Sequence, residues 1–190
     1  MFSLFPHSFV CGHSCSNLCE GNIFSVRSFG GALFVLVFAV DIYRVAFIGH
    51  REINDIRFIE DKIEELAIDL LCRYEYVEFN LGRNGEFDIS AASAIKRVQK
   101  KYGKENSSLT LILPYKSKDE CFFEEFYDEI VYPIDRSVHF KEAITKRNKW
   151  MMDNSDLLIC YVEQERKGGA LTALNYATKQ GLKIINLATK

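Results

Sequence analysis

Residues 156 to 187 constrain the fold more than any other stretch of the chain. Asp156-Leu157-Leu158-Ile159-Cys160-Tyr161-Val162 is an apolar run closed by Glu163, the pattern of a strand buried on both faces. A short polar loop leads to Gly168-Gly169, Ala170 to Gln180 has helical spacing, and Gly181 stops that helix. Lys183 to Leu187 then starts another buried strand. Strand, double glycine, helix, strand is a βαβ unit whose helix begins bare of side chains. Free backbone N–H groups and a helix dipole of roughly +0.5 charge coincide there. A phosphate fits that environment. A tight turn that merely needs glycine accounts for the pair equally well when it is taken alone.

The rest of the chain is uneven. Residues 1–42 hold three charged side chains, Glu20, Arg27 and Asp41, yet seven of the 15 phenylalanines. From Tyr43 onward the composition is that of an ordinary cytosolic domain, so the boundary is placed at about Asp41. Phe29 to Val40 lacks charge but is too short for a membrane span, which takes roughly 20 apolar residues. It also starts too far from Met1, without a basic cluster, to be a signal peptide. Tyr43 to Ile48 looks like the first strand of a domain that begins at its chain start, and Val40 or Ile42 is where such a start would fall. Residues 1–42 are therefore expected to be a leader, disordered or upstream of the true start, and residues 43–190 the folded domain. The formal net charge of −2 gives no global attraction to nucleic acid or to an acidic membrane.

Cys11, Cys15 and Cys19, with His7 and His13 nearby, lack the paired short-loop spacing of zinc sites, so no metal is expected. Cys72, Cys121 and Cys160 are an odd set; Cys72 and Cys160 sit in apolar elements and read as small core residues in a reducing compartment.

Within the domain, strands and helices alternate. Tyr43–Ile48 is the first strand. Asn54 or Asp55 caps a helix with Ile56, Ile59, Ile63, Leu66 and Leu70 on one face. Tyr76–Leu81 is the second strand, and a helix from about Asp88 to Tyr102 buries Ile89, Ala92, Ile95 and Val98. Leu109–Leu113 is the third strand, followed by a short helix near 119–127, a weak strand at Glu129–Tyr132 and a helix from His139 to Met152. The alternation predicts a Rossmann-like, doubly wound, mostly parallel α/β sheet with helices on both faces, in three layers. Functional residues in such sheets sit at the carboxyl ends of the strands. The distinctive polar residues fall there: Gly49, His50 and Arg51 after the first strand, Arg83, Asn84, Gly85 and Glu86 after the second, Tyr115 after the third, and Gly168-Gly169 after the Asp156 strand. The basic run Lys96, Arg97, Lys100, Lys101 and Lys104 lies at a helix C-terminus and reads as a solvated face. Asp156 and His139 read as structural.

Five motifs in order support a resemblance: Phe47-Ile48-Gly49-His50-Arg51, Gly85-Glu86-Phe87-Asp88, Leu111-Ile112-Leu113-Pro114-Tyr115, Lys146-Arg147-Asn148-Lys149-Trp150-Met151, and Ser155-Asp156 with Gly168-Gly169-Ala170. From Tyr43 to Leu187 the chain resembles the SLOG superfamily, which takes in the Smf/DNA-processing protein A and Lonely Guy families. The resemblance points to its small YpsA/YoqJ-like bacterial branch. It implies a cytoplasmic protein that binds a nucleotide or nucleotide-derived ligand through Gly49, His50, Arg51, Arg83, Asn84, Gly85, Glu86, Tyr115, Arg147, Asn148, Gly168, Gly169 and Thr172. No cofactor or membrane is implied, and a homo-oligomer is compatible with it.

Activity carries over less far. Lonely Guy phosphoribohydrolases have a PGGxGTxEE motif and an upstream arginine. Arg147 resembles that arginine, and Gly168, Gly169 and Thr172 match part of the motif. Leu174 and Asn175 stand where its glutamates would be, so the carboxylate that N-glycosidic cleavage needs is missing there. Glu86 and Asp88 are the candidates to replace it. A nucleotide-binding or sensing protein is thus the leading expectation, followed by a phosphoribohydrolase or nucleoside deoxyribosyltransferase-like enzyme. Single-stranded DNA binding comes third, and nucleic acid is not expected as a partner because no basic stripe with interleaved aromatics is present.

Overall fold

The computed structural model describes residues 23–29, 32–38, 40–83, 85–118, 120–135 and 138–188. The chain divides into two compact units, Met1–Val40 and Asp41–Lys190. In the first, strands β1 (Ile23–Phe29) and β2 (Ala32–Phe38) pair antiparallel, Phe29 opposite Ala32 and Ile23 opposite Phe38. The sequence reading placed no element here. The signal was present, since Gly30-Gly31 separates two runs rich in aromatic and β-branched residues, a hairpin pattern. The expectations for Cys11, Cys15, Cys19 and the rest of residues 1–22 lie outside the described residues.

The second unit is a six-stranded, all-parallel sheet. Its strands are β3 (Ile42–Gly49), β4 (Tyr76–Leu81), β5 (Ser107–Ile112), β6 (Glu129–Val131), β7 (Leu157–Tyr161) and β8 (Lys183–Asn186), in the order β6-β5-β4-β3-β7-β8. The helices are α1 (Ile56–Arg73), α2 (Glu86–Tyr102), α3 (Glu120–Phe126), α4 (Phe140–Asp153) and α5 (Gly169–Gln180). The fold is Rossmann-like α/β, as the alternation predicts. No helix among the described residues is long and apolar enough to cross a membrane.

The continuous apolar strands follow from burial on two sides. Val45 and Phe47 of β3 join the cluster built with Ile59 and Ile63 of α1 and Phe87, Ala91 and Ile95 of α2. Ala46 and Ile48, one residue out of phase, join Met151 and Met152 of α4 and Leu174 and Ala177 of α5. With a side-chain period of two, Val45–Ile48 of β3 and all of β7, covered on both faces, must therefore be apolar at consecutive positions. Two interior expectations fail. Ile56 and Ile89 are 42% and 50% exposed. Ile56 lies on the overhanging first turn of α1. In α2 the buried face runs through Phe87, Ala91, Ala94, Ile95 and Val98, which turns Ile89 outward. Cys72 is likewise exposed, lying off the Ile59–Ile63–Ala67–Leu70 face, while Cys160 is buried and its thiol is pushed up to about 12 by that burial.

The basic run is less solvated than its sequence suggests. Arg97 pairs with Glu60 and Glu64 of α1, and Lys96 and Lys104 both reach Asp128 at 3.0 Å. Asp156 exchanges backbone and side-chain hydrogen bonds with Arg44 at 2.8 Å, at the amino end of β7. The chain lays down β3, β4, β5 and β6 outward in one direction, then returns to β3's other side with β7 and β8. Strand order reverses between β3 and β7, and a crevice opens at their carboxyl ends.

Candidate functional site

That crevice is a cleft of about 360 Å³. Its floor and walls come from the β3 exit (Ile48 to Arg51), from Asp88 of α2, from Ile144, Arg147 and Asn148 of α4, and from the Arg166–Ala170 turn into α5. A smaller recess of about 50 Å³ adjoins through the shared Asn148 and Gly169 and reaches Thr172.

His50 ties the two central strands together. Its N–H donates to the Tyr161 carbonyl at 3.2 Å, and its Nε2 accepts the Glu163 N–H at 3.0 Å. Only an unprotonated Nε2 makes the second bond. Burial first, and the Arg166 charge second, hold the imidazole below its usual pKa against the opposing pull of Glu163. His50 is thus a neutral link at the cleft floor. Gly49 before it has no room for a side chain, because a Cβ there would run into the buried ring of Phe87.

The turn into α5 is built differently. Gly168 caps the helix without a side-chain hydrogen bond, and the first intrahelical return bond is Thr172 N–H to the Gly168 carbonyl at 3.1 Å. The amides ahead of Thr172 are the orphan donors of a helix start. A Cβ added at Gly168 or Gly169 would meet nothing within 4 Å. Thr172 turns its hydroxyl back onto the Gly168 carbonyl at 3.1 Å.

Arg147 lies opposite. The resemblance names it as a ligand-binding residue, but a charge on an amphipathic helix is by default solvated, whereas Arg147 is 2% exposed. Ala143, Arg147 and Met151 share the inward face of α4, and that i, i+4, i+8 spacing is the signal for its burial. Its Nη1 donates to Met151 Sδ at 3.4 Å, the Nε has no partner, and Gly82 leaves space for the guanidinium. Burial disfavours its charge and the neighbouring Asp88 carboxylate favours it. Arginine nevertheless stays protonated in proteins. The Asn148 Oδ1 beside it is buried and also lacks a partner.

Of the residues expected from sequence, Gly49, His50, Arg51, Asp88, Arg147, Asn148, Gly168 and Gly169 line the main cleft and Thr172 the recess. Arg83, Gly85, Glu86 and Tyr115 line neither. Arg83 stacks over Phe123 at 4.5 Å, and Tyr115 is 56% exposed. Gly85 packs on the Arg51 backbone, and the Glu86 Oε2 accepts the Ile53 N–H at 3.0 Å. Asn84 lies outside the described residues. Arg166 and Lys167 line the cleft although the sequence reading did not name them; their place just ahead of the glycine pair was the available signal. Arg166 is held by the Glu52 carbonyl and carboxylate, each at 3.1 Å. Four cationic side chains, Arg51, Arg147, Arg166 and Lys167, therefore border the cleft, with Asp88 as the lining carboxylate.

No protein-family model matches the chain, and no curated protein does. Solved structures do. DNA processing protein A from Helicobacter pylori, known for a single-stranded DNA binding mode, superposes with a TM-score of 0.53 at 17% identity, over 75% of this chain and 63% of that one. DNA processing protein A from Streptococcus pneumoniae gives 0.56 at 12% identity, over 75% and 49%. The molybdenum cofactor carrier protein of Chlamydomonas reinhardtii gives 0.51 at 13% identity, over 79% of each chain. The chain has a SLOG-type fold. It spans about half to two thirds of the length of the DNA processing proteins it matches. The expectation that nucleic acid is no partner finds no support beside such neighbours. At these identities the SLOG-type likeness fixes the fold, and the site rests on the chain's own residues.

Proposed function

We propose that this chain is a SLOG-type binding protein of the YpsA/YoqJ-like kind whose cleft takes a phosphorylated nucleoside derivative. The phosphate sits on the N–H groups at Gly168 and Gly169, beside Arg147. The sugar lies toward Gly49–Arg51 and Asp88, and not against the Arg83–Glu86 loop. The observation that carries this reading is Arg147: a guanidinium that is 2% exposed, with its Nε unpartnered, at the wall of a cleft also bordered by an uncapped helix start. A buried cation without full pairing is costly, and an anion delivered by a ligand relieves that cost. Mass spectrometry of small molecules released from the purified, heat-denatured protein tests it. A stoichiometric phosphorylated nucleoside derivative is the expected result; a tightly retained ligand without any phosphoryl group contradicts it.

A second reading, N-glycosidic cleavage, rests on Asp88, which stands in the cleft and in the field of Arg147. Release of free base from nucleoside monophosphates, abolished in Asp88→Asn, supports it. A third reading, single-stranded DNA, is favoured by the likeness to the Helicobacter pylori protein. Oligo-dT that binds the chain and is displaced by AMP supports a shared phosphate seat; binding that AMP leaves untouched places DNA elsewhere.

A further inference from the structure

The segment that leaves β3 is clamped from outside the cleft. Glu86, the first residue of α2, donates its N–H to the Arg51 carbonyl at 2.8 Å, and its Oε2 accepts the Ile53 N–H at 3.0 Å. Two bonds from one residue, landing two positions apart, fix both the place and the direction of the 51–53 backbone. Gly85 completes the contact, since a Cβ there would stand 2.6 Å from the Arg51 Cα. From the other side, Arg166 holds the carbonyl and carboxylate of Glu52. A carboxylate accepting a backbone N–H is among the stronger, directional contacts a surface residue makes.

Arg51 is the residue this clamp delivers to the cleft. It lines the cleft, and among the described residues it has no ion-pair partner. A long, exposed side chain loses much rotamer freedom on binding, and fixing the backbone it springs from limits what remains to be ordered. Glu86 does not line the cleft, and its carboxylate is engaged by Ile53. The geometry points to Glu86 as a positioning residue that holds Arg51 at the cleft mouth for an anionic ligand. The assignment rests on the phosphate-binding reading of the cleft and takes the place of the acid–base role that the sequence offers for Glu86.

The test uses the full-length protein with Glu86→Ala, Glu86→Gln, Arg51→Ala and the double variant. Amide hydrogen exchange at Ile53, without ligand, reads the clamp itself. Glu86→Ala speeds it about tenfold or more, and Glu86→Gln, whose side-chain carbonyl accepts the same N–H, stays within about threefold of wild type. Titration with AMP reads the consequence. Arg51→Ala and Glu86→Ala each weaken AMP by about five- to tenfold, and the double variant falls no further than Arg51→Ala alone. The salt dependence of AMP affinity flattens to the same degree in all three, and Glu86→Gln restores it. Glu86 is exposed, so the fold should survive; if Glu86→Ala unfolds, Glu86→Asp, one methylene short of Ile53, provides the same contrast. Unchanged exchange at Ile53, or additive losses in the double variant, overturns the assignment and leaves the cleft reading standing. Failure of the wild type to bind AMP overturns both.

Discussion

Glycines crowd the carboxyl edge of the sheet on both sides of the cleft, but for opposite reasons. At the exits of β3 and β4 the protein's own atoms exclude a side chain: Phe87 at Gly49, the Arg147 guanidinium at Gly82, and the Arg51 Cα, 2.6 Å from a Cβ at Gly85. At the exit of β7 nothing does. A Cβ on Gly168 or Gly169 meets no atom within 4 Å; Gly168, at φ 160° and ψ −174°, is close to fully extended, and the left-handed glycines are Gly103 and Gly181. Neither packing nor backbone geometry asks for glycine in the second region, so what the bare turn provides is space. That space opens into the cleft, beside the uncapped start of α5.

The contrast can be broken at its tight side first. Gly49→Ala should cost about 3 kcal/mol, because Phe87 is fully buried and cannot move aside cheaply. For a domain of this size, that lowers the melting temperature by about 6–12 °C in a circular-dichroism melt. A neutral Gly49→Ala would mean that the Phe87 ring yields its place to a methyl group at little cost.

Asp128, away from the cleft, gives the next largest effect. Burial would raise its carboxyl, but Gln99, the Leu109 N–H, Lys96 and Lys104 together hold it down at about 2 from 3.8. The unfolded chain takes up the proton first, so this stabilisation is present above about pH 4 and is lost as pH falls toward 2; the loss is about 2 kcal/mol. Acid unfolding of Asp128→Asn should lack that component. A smaller component belongs to His50, whose folded pKa lies below 6.5. Again the unfolded chain binds the proton first. Stability should be full above about pH 6.5, decline below it, and lose this decline in His50→Gln. Equal slopes in wild type and variant near pH 6 would contradict the neutral link between β3 and β7.

The centre of the sheet was legible because a strand buried on both faces leaves an unbroken apolar run; β7, for example, spans Leu157–Tyr161, within the run that Asp156 and Glu163 bound. Helix faces were less secure. Ile89 fits a 3–4 spacing with Ala92, yet Phe87 sets the inward face and Ile89 points out. The convergence of Gly49, His50 and Gly168-Gly169 was legible, since they follow the strands at the switch, whereas Arg147, inside α4, was named only by the resemblance of its motif. Tyr115 and Arg83 follow β5 and β4, on the side away from β7, and strand order is not written in any local pattern. The burial of Arg147 escaped because a charge on an amphipathic helix defaults to solvent. Glu86 escaped because its partner, Ile53, is 33 residues distant.

The smallest effect on the unliganded protein is the most telling. Gly169→Ala should leave its stability unchanged or raise it by up to about 1 kcal/mol, since alanine suits a helix start and has room there. The decisive measurement is the melting temperature of wild type and Gly169→Ala with and without a phosphorylated nucleoside, taken from a panel of AMP, ADP-ribose, NAD and nucleoside monophosphates. A matching ligand at about a hundredfold excess over Kd stabilises the folded state by about 2.7 kcal/mol. That corresponds to about 5–11 °C for a domain of this size. The account predicts this rise in the wild type and little or none in Gly169→Ala, with equal or higher melting of the unliganded variant. The same rise in both proteins, or no rise in the wild type with any member of the panel, contradicts it.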